Sequence, residues 1–426
     1  MTENDSVPAG RLARLIPADP LRRRLLAIRF AGATGRGVFL SGSVVYFTLH
    51  VGLSAGQVGL GLSASGFAGL VSSVLFGMIA DRVHKRTLLC ALVGLVAVGF
   101  GLYSLVSTAT EFYVLVVLIA FLDYGTGPTE SAIVATLVPD GERVRLNAMM
   151  RSVFNIGFSA GIGVAAVAAL SERLLVLIPI GSAVLLGAAA VLVTRLPAGA
   201  PTGTARRPRL FGAVRDLRYL SVVGLSAVLA SHISLLMVVL PLWTLTETGV
   251  RPFLVPLLLV INTVFVIFFQ VRASRGAETV AGAAATGRRA GLWIAAGCAA
   301  VSVTAVWHDA VLAAAAVVAT VLALSVAEVM QASSAWGLAF GLAPKHAAGE
   351  YLGAFDLHVA GQNVAGPVLL SGLVIAQGFW GWMAVAGLMV AAALLIGPAA
   401  RRSAEAMAAK SAEAGAEAPA AAEETV

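Results

Sequence analysis

Five ionisable side chains lie where the chain offers them little water. Arg36, Asp123, Glu130, His232 and Glu328, the last with Gln331 nearby, fall inside runs of apolar residues long enough to cross a bilayer. A charge in such a run costs roughly 2.5–3.5 kcal/mol on insertion scales and by default marks a function. A carboxylate shielded from water holds its proton more tightly, so it can take up and release that proton as its exposure changes. Asp123, Glu130 and Glu328 are the candidates for this chemistry. Asp123 and Glu130 are seven residues apart and share one helical face. Arg36 and Glu130 each sit about eight residues from the same end of their runs, near 12 Å deep, so an Arg36–Glu130 ion pair is expected between the first and fourth runs. Arg36, Asp123, His232, Glu328 and Gln331 are the expected lining of a binding cavity. Plainer roles compete: an ion pair can simply fix two helices, and a lone membrane histidine more often bonds a neighbouring helix.

The runs that hold these residues set the class of the chain. Of 426 residues, 59% are hydrophobic and 12% charged, and mean hydropathy is +0.91. Soluble chains are typically about 45–50% apolar and about 25% charged, so this chain cannot face water on all sides. Its apolar runs are continuous and do not alternate with period two, which implies helices and excludes a barrel. Twelve spans follow, at 29–50, 56–80, 87–107, 112–138, 150–170, 174–195, 219–241, 252–271, 290–307, 310–338, 350–376 and 379–399. The Pro/Gly/Arg-rich segment 196–218 divides them six from six. This gives an N-terminal segment 1–28, bundles at 29–195 and 219–399, and a low-complexity tail 400–426 expected to be frayed or disordered. The basic leader, with its acids and no A-x-A site, is expected to lead into an uncleaved first helix.

The net charge of +7 has a topological explanation that needs no nucleic acid. With the N-terminus placed in the cytoplasm, 26 of the 29 Lys and Arg residues fall on that side, and only Arg173 and Arg251 on the other. This bias predicts cytoplasmic termini. The Arg, Ala, Gly and Val bias suggests a GC-rich bacterium, hence its plasma membrane. Cys90 and Cys298 lie in apolar runs and read as buried thiols. No H-E-x-x-H string or other ligand cluster occurs, and no G-x-x-x-x-G-K-[ST] loop. No metal, no cofactor and no enzymatic activity are therefore expected, and ATP does not drive the protein directly.

The stretch "GMIADRVHKR" (77–86) closes the second span. It resembles the loop G-x-L-A-D-R-x-G-R-[KR] of the major facilitator superfamily: Gly77, Ala80, Asp81, Arg82, Lys85 and Arg86 match, Ile79 replaces Leu and His84 replaces glycine. The resemblance covers 29–399. It implies two pseudo-symmetric six-helix bundles around a central cavity, in a monomer. It also implies a conformational latch of Gly77, Asp81, Arg82, Lys85 and Arg86, with Asp81 against the start of span eleven, Gly349–Leu352. Orientation alone can explain the bases but not the aspartate. In span five "NIGFSAGIG" is similar to the glycine-rich pattern of drug/proton antiporters, with Phe158 in place of proline; close helix packing is the other reading. Span four departs from the family, with "FLDYGTGPTE" where many relatives carry an arginine tied to proton transfer.

These features together predict proton-coupled export of hydrophobic small molecules by alternating access. Two other readings remain open. An uptake symporter for a small nutrient would want more amides in the spans, and an organic-anion carrier would want more than the single interior base Arg36. A membrane sensor or enzyme is the reading from a different class, and short loops leave little room for an output domain.

Overall fold

The computed structural model describes residues 19–168, 170–197, 212–250, 254–307 and 309–423. Twelve long helical segments run through them, and the described residues contain no strand. We label them α1 (Pro20–Val45), α2 (Ala55–Ala80), α3 (Lys85–Leu105), α4 (Ala109–Leu137), α5 (Asp140–Ala168), α6 (Arg173–Thr194), α7 (Leu217–Glu247), α8 (Leu254–Ala273), α9 (Val280–Ser302), α10 (Ala310–Leu342), α11 (Ala348–Gln377) and α12 (Phe379–Glu423). Eight of them, among the described residues, are long and apolar enough to span a bilayer on their own. The basic first turns of α1 and the Arg288–Arg289 pair of α9 dilute the apolar character of those helices. Most of the linker expected at 196–218, and residues 1–18, lie outside the described residues.

Several helices start well before their apolar stretch. Asp19 caps α1, its side chain accepting from the Leu21 N–H at 3.0 Å with Pro20 in the first turn, so the bases of "LRRRLL" are already helical. α5 begins at Asp140 and α9 at Val280, where Thr279 accepts from the Gly282 N–H at 3.1 Å. Arg143, Arg145, Arg151, Arg288 and Arg289 therefore belong to helices, a correction to their reading as loop residues. Long basic side chains let a helix continue past the apolar layer while their heads stay at its edge. α12 likewise runs through the supposed tail to Glu423.

Each half has its own apolar core. Phe39, Phe47, Phe100, Tyr103 and Phe112 cluster in the first, and Trp243 stacks edge-on with Trp382 at 5.9 Å in the second. Trp243 also donates to Thr304 Oγ1 at 2.9 Å, so it is a core residue and not part of a pocket wall. Within the first half, α1 and α5 pack backbone to backbone. A Cβ at Gly37 would strike the Phe158 carbonyl, and one at Gly161 the Thr34 carbonyl. Gly157 and Gly161 of "NIGFSAGIG" are thus explained by helix contact, whereas Gly163 is not.

Gly161→Ala should lower stability by about 1–3 kcal/mol, because backbone atoms cannot yield to the added methyl. Gly163→Ala, two residues on and facing open space, should be neutral or slightly stabilising. Thermal unfolding of the purified variants in detergent checks the contrast.

Candidate functional site

α1 and α4 run antiparallel, and each carries a charged pair at seven-residue spacing. Arg36 Nε lies 3.0 Å and 3.1 Å from the two Asp123 carboxylate oxygens, and its Nη2 lies 2.5 Å from one of them. Two turns back on α1, Arg29 Nη1 donates to Glu130 at 2.8 Å. The expected Arg36–Glu130 pair is therefore replaced by two pairs, Arg36–Asp123 and Arg29–Glu130. The reason is register: α1 starts at Pro20, so Arg29 lies within the helix and takes the position opposite Glu130. The Arg29 guanidinium also stands 5.0 Å over the Phe154 ring, which attracts a cation.

A break in α4 shapes this ladder. The helix is interrupted at Gly125, and Pro128 follows with no N–H to give. Thr126 Oγ1 donates to the Asp123 carbonyl at 2.6 Å and Thr129 Oγ1 to the Gly125 carbonyl at 2.8 Å, satisfying backbone that the break frees. Arg36 Nη2 reaches Thr126 Oγ1 at 3.3 Å. Arg36 and Asp123 side chains keep 19% and 27% exposure, so this pair borders accessible space, whereas Glu130 keeps 11%.

Glu328 on α10 is the third paired carboxylate. It accepts from Arg151 of α5 at 3.0 Å and from Asn262 of α8 at 3.0 Å, and Asn262 also donates to Ser325 at 3.1 Å. This pair joins the two halves. His232 is fully buried in α7, its Nδ1 donating to the Leu229 carbonyl at 2.8 Å, and its Nε2 has no partner among the described residues. Gln331 is buried on α10 one turn from Glu328. Nearby, Ser234 donates to Gln362 of α11 at 2.9 Å. His232, Glu328 and Gln331 therefore belong to the second half, apart from the Arg36–Asp123 ladder. Among the described residues no His, Cys, Asp and Glu cluster could hold a metal ion.

The second junction between the halves is at α2 and α11. Asp81 accepts from the Gly349 and Glu350 N–H groups, both at 2.8 Å, where free amides and the positive end of the helix dipole favour an anion. The helices touch through backbone: a Cβ at Gly77 would strike the Gly349 carbonyl, and one at Gly353 the Ser73 carbonyl. Glu350 accepts in turn from Ala213 N–H at 2.8 Å, tying in the short helix Gly212–Arg215 before α7. Arg82 lies within electrostatic reach of Glu350, and Lys85, largely buried, within reach of Asp81. Arg86 points elsewhere, donating to the Leu196 carbonyl at 3.1 Å just past the end of α6, so its contact is within the first half.

Two arginines that the sequence reading passed over, and Asp356, which it placed near the start of span eleven beside the latch, complete the interior. Arg29 and Arg151 were counted as edge bases. Asp356 sits at a break in α11 between Phe355 and Leu357, against the break in α4: a Cβ on Gly127 would lie 3.6 Å from its carboxylate. The Arg29 charge acts on it. Its place at the helix interruption is visible only in three dimensions.

Residues 25–367 match the Major Facilitator Superfamily. The chain belongs to this superfamily. Solved structures of similar fold include the fucose:proton symporter of E. coli (TM-score 0.71, 13% identity, covering 90% of this chain and 98% of that one). A bacterial homologue of the iron transporter ferroportin, in an outward-facing state, gives a TM-score of 0.69 at 12% identity, covering 91% of this chain and all of that one. A human organic anion transporter gives 0.64 at 17%, covering 89% and all of that chain. No curated protein matches in sequence. As a member of the superfamily the chain is a multi-pass membrane transporter, and the two halves described above are its two six-helix bundles.

Asp123→Asn should cost about 2 kcal/mol, less than the 3–5 kcal/mol of a fully buried pair, because it strands Arg36. The double variant Arg36→Gln/Asp123→Asn should recover part of that loss in thermal unfolding. Asp81→Asn keeps one acceptor and sets an NH2 group against a backbone N–H. Hydrogen exchange at the Gly349 and Glu350 amides should then accelerate roughly tenfold or more.

Proposed function

We propose that this transporter exports hydrophobic small molecules in exchange for protons, with its basic end in the cytoplasm and that end closed in the structure described. The observation that carries this reading is the placement of Arg29. It is bound to Glu130 of its own half, keeps an unpartnered Nε among the described residues, and its charge acts, without a direct ion pair, on Asp356 from the other half. Two carboxylates thus compete for one cation across a boundary that opens and closes. A carboxylate without a partner is costly to keep ionised away from water, so whichever acid lacks Arg29 favours a proton. Opening the basic end wets Asp356 and lets that proton leave. The stacked Phe154 and Phe158, 5.6 Å apart, and the scarcity of amides on the spans favour an apolar cargo. Asp123, Glu328 and His232 would line its path, with Gln331 beside them, and Asp81 would hold the basic end shut until cargo is released.

A second reading has a specific observation behind it. Three interior arginines, Arg29, Arg36 and Arg151, replace the single one expected, and a small organic anion could exchange with one of their carboxylates.

The test uses inverted membrane vesicles with an acid interior and a pH-sensitive dye. Hydrophobic cations, neutral antibiotics and small carboxylates are added to wild type, Glu130→Gln and Asp356→Asn. Hydrophobic compounds should dissipate the gradient with wild type and fail with both variants. Equal responses in all three would make these carboxylates static, and a response to carboxylates alone would select the second reading.

A further inference from the structure

At the basic end the halves leave a cavity of about 420 Å3 between the starts of α1 and α5 and the end of α8. Arg22, Glu142 and Arg145 line it from the first half, and Phe268, Arg272, Arg275 and Glu278 from the second. Arg22 is already held, by Asp19 at 3.2 Å and by Glu142. Arg145, Arg272 and Arg275 have no ion-pair partner among the described residues. Four guanidinium groups and two carboxylates line the pocket, and with Asp19 bound to Arg22 from beside it one positive charge stays unbalanced.

The rim has a different character. Phe268 is 74% exposed on the outer side of α8, one turn from Arg272, and Val271 follows it into the lining. In a membrane-embedded protein such an exposed apolar residue faces acyl chains. We propose that this pocket binds the headgroup of an anionic phospholipid, its phosphoryl oxygens between Arg145 and the Arg272–Arg275 pair and its tails running past Phe268. Planar guanidinium forks suit phosphoryl oxygens, and basic pockets between membrane helices at this depth hold anionic headgroups. A free phosphate would use the arginines equally well but would gain nothing from the aromatic rim.

The pocket has walls from both halves, so it exists as one site only while this end is closed. A ligand that binds one state better must favour that state by the same factor. The lipid therefore stabilises the Asp81-closed conformation and makes transport sensitive to the anionic lipid content of the membrane. The site lies at the membrane edge whichever way the chain is oriented, so it stands apart from the choice of cargo.

Native mass spectrometry of the purified full-length chain, offered phosphatidylglycerol and phosphatidylcholine of equal acyl length in equal amounts, tests the assignment. Wild type should retain phosphatidylglycerol preferentially, and Arg272→Gln/Arg275→Gln should reduce that preference roughly tenfold or more. Arg272→Lys/Arg275→Lys should keep most of it. Arg288→Gln/Arg289→Gln, two exposed bases on α9, should change nothing. Undiminished binding in the Arg272/Arg275 glutamine variant, or equal loss in the α9 variant, would overturn the site. Displacement of the lipid by millimolar inorganic phosphate would make it a site for a soluble anion and overturn the lipid assignment. In nanodiscs, phosphatidylglycerol should slow hydrogen exchange at Gly349 and Glu350 in wild type but not in Arg272→Gln/Arg275→Gln. Identical exchange with and without it would overturn the coupling to the closed state.

Discussion

A charge inside a bilayer must find its opposite within the protein, and this requirement sets the alignment of the first half. Arg29 and Arg36 on α1 face Glu130 and Asp123 on α4 at the same seven-residue spacing, about 10 Å along each helix axis. Because the helices are antiparallel, one alignment satisfies both pairs. A slip of one turn would leave four charges without partners. α5 is then pressed onto α1 through Gly37, Gly157 and Gly161, so the charge ladder and the glycine contact hold three helices in one relation. The break at Gly125 does not weaken this arrangement, since Thr126 and Thr129 bond the carbonyls it frees.

The junction between the halves is built differently. Within a half, aromatic and aliphatic clusters exclude water, and nothing in solvent could replace them. Across the boundary at α2 and α11 the contacts are glycine backbones and two hydrogen bonds to Asp81, which water can replace at small net cost. Opening that end therefore exchanges these polar contacts for water while the two bundles keep their cores. A structure that must rock needs this contrast between a stiff interior and an exchangeable seam. The binding of Glu350 to the helix Gly212–Arg215 extends the seam to the start of the second bundle.

Much of this was legible in the sequence, for reasons that can be named. Apolar runs report spans because the bilayer imposes a length, and "GMIADRVHKR" between the second and third spans pointed to both the family and the position of Asp81. Helix ends were not legible. Hydropathy marks where the apolar layer stops, whereas α1, α5 and α9 begin earlier, at caps such as Asp19 and Thr279. The same error hid Arg29 and Arg151, which looked like edge bases and are interior ion-pair partners. It also produced the wrong partner for Arg36, since depth counted from a misplaced helix start is wrong by the same amount. Asp356 was placed near the start of span eleven, but its apposition to the break in α4 was not legible, because no spacing within one segment encodes two helix breaks meeting face to face.

Glu130 on α4 and Glu328 on α10 are both buried and paired, yet their partners differ in a way that matters for any cycle. Glu130 is neutralised by Arg29, a residue of its own bundle, so rocking moves the competing Asp356 relative to that pair rather than separating its two helices. Glu328 is neutralised by Arg151 from the opposite bundle and by Asn262 from its own. Separation of α5 from α10 would leave Glu328 with the amide alone, a much weaker counterpart for an anion in a low-dielectric interior. The two carboxylates thus report on different variables, one on the local field around Arg29 and Asp356, the other on the separation of the halves themselves. Two equivalent halves become inequivalent in chemistry through the placement of a single arginine on α5.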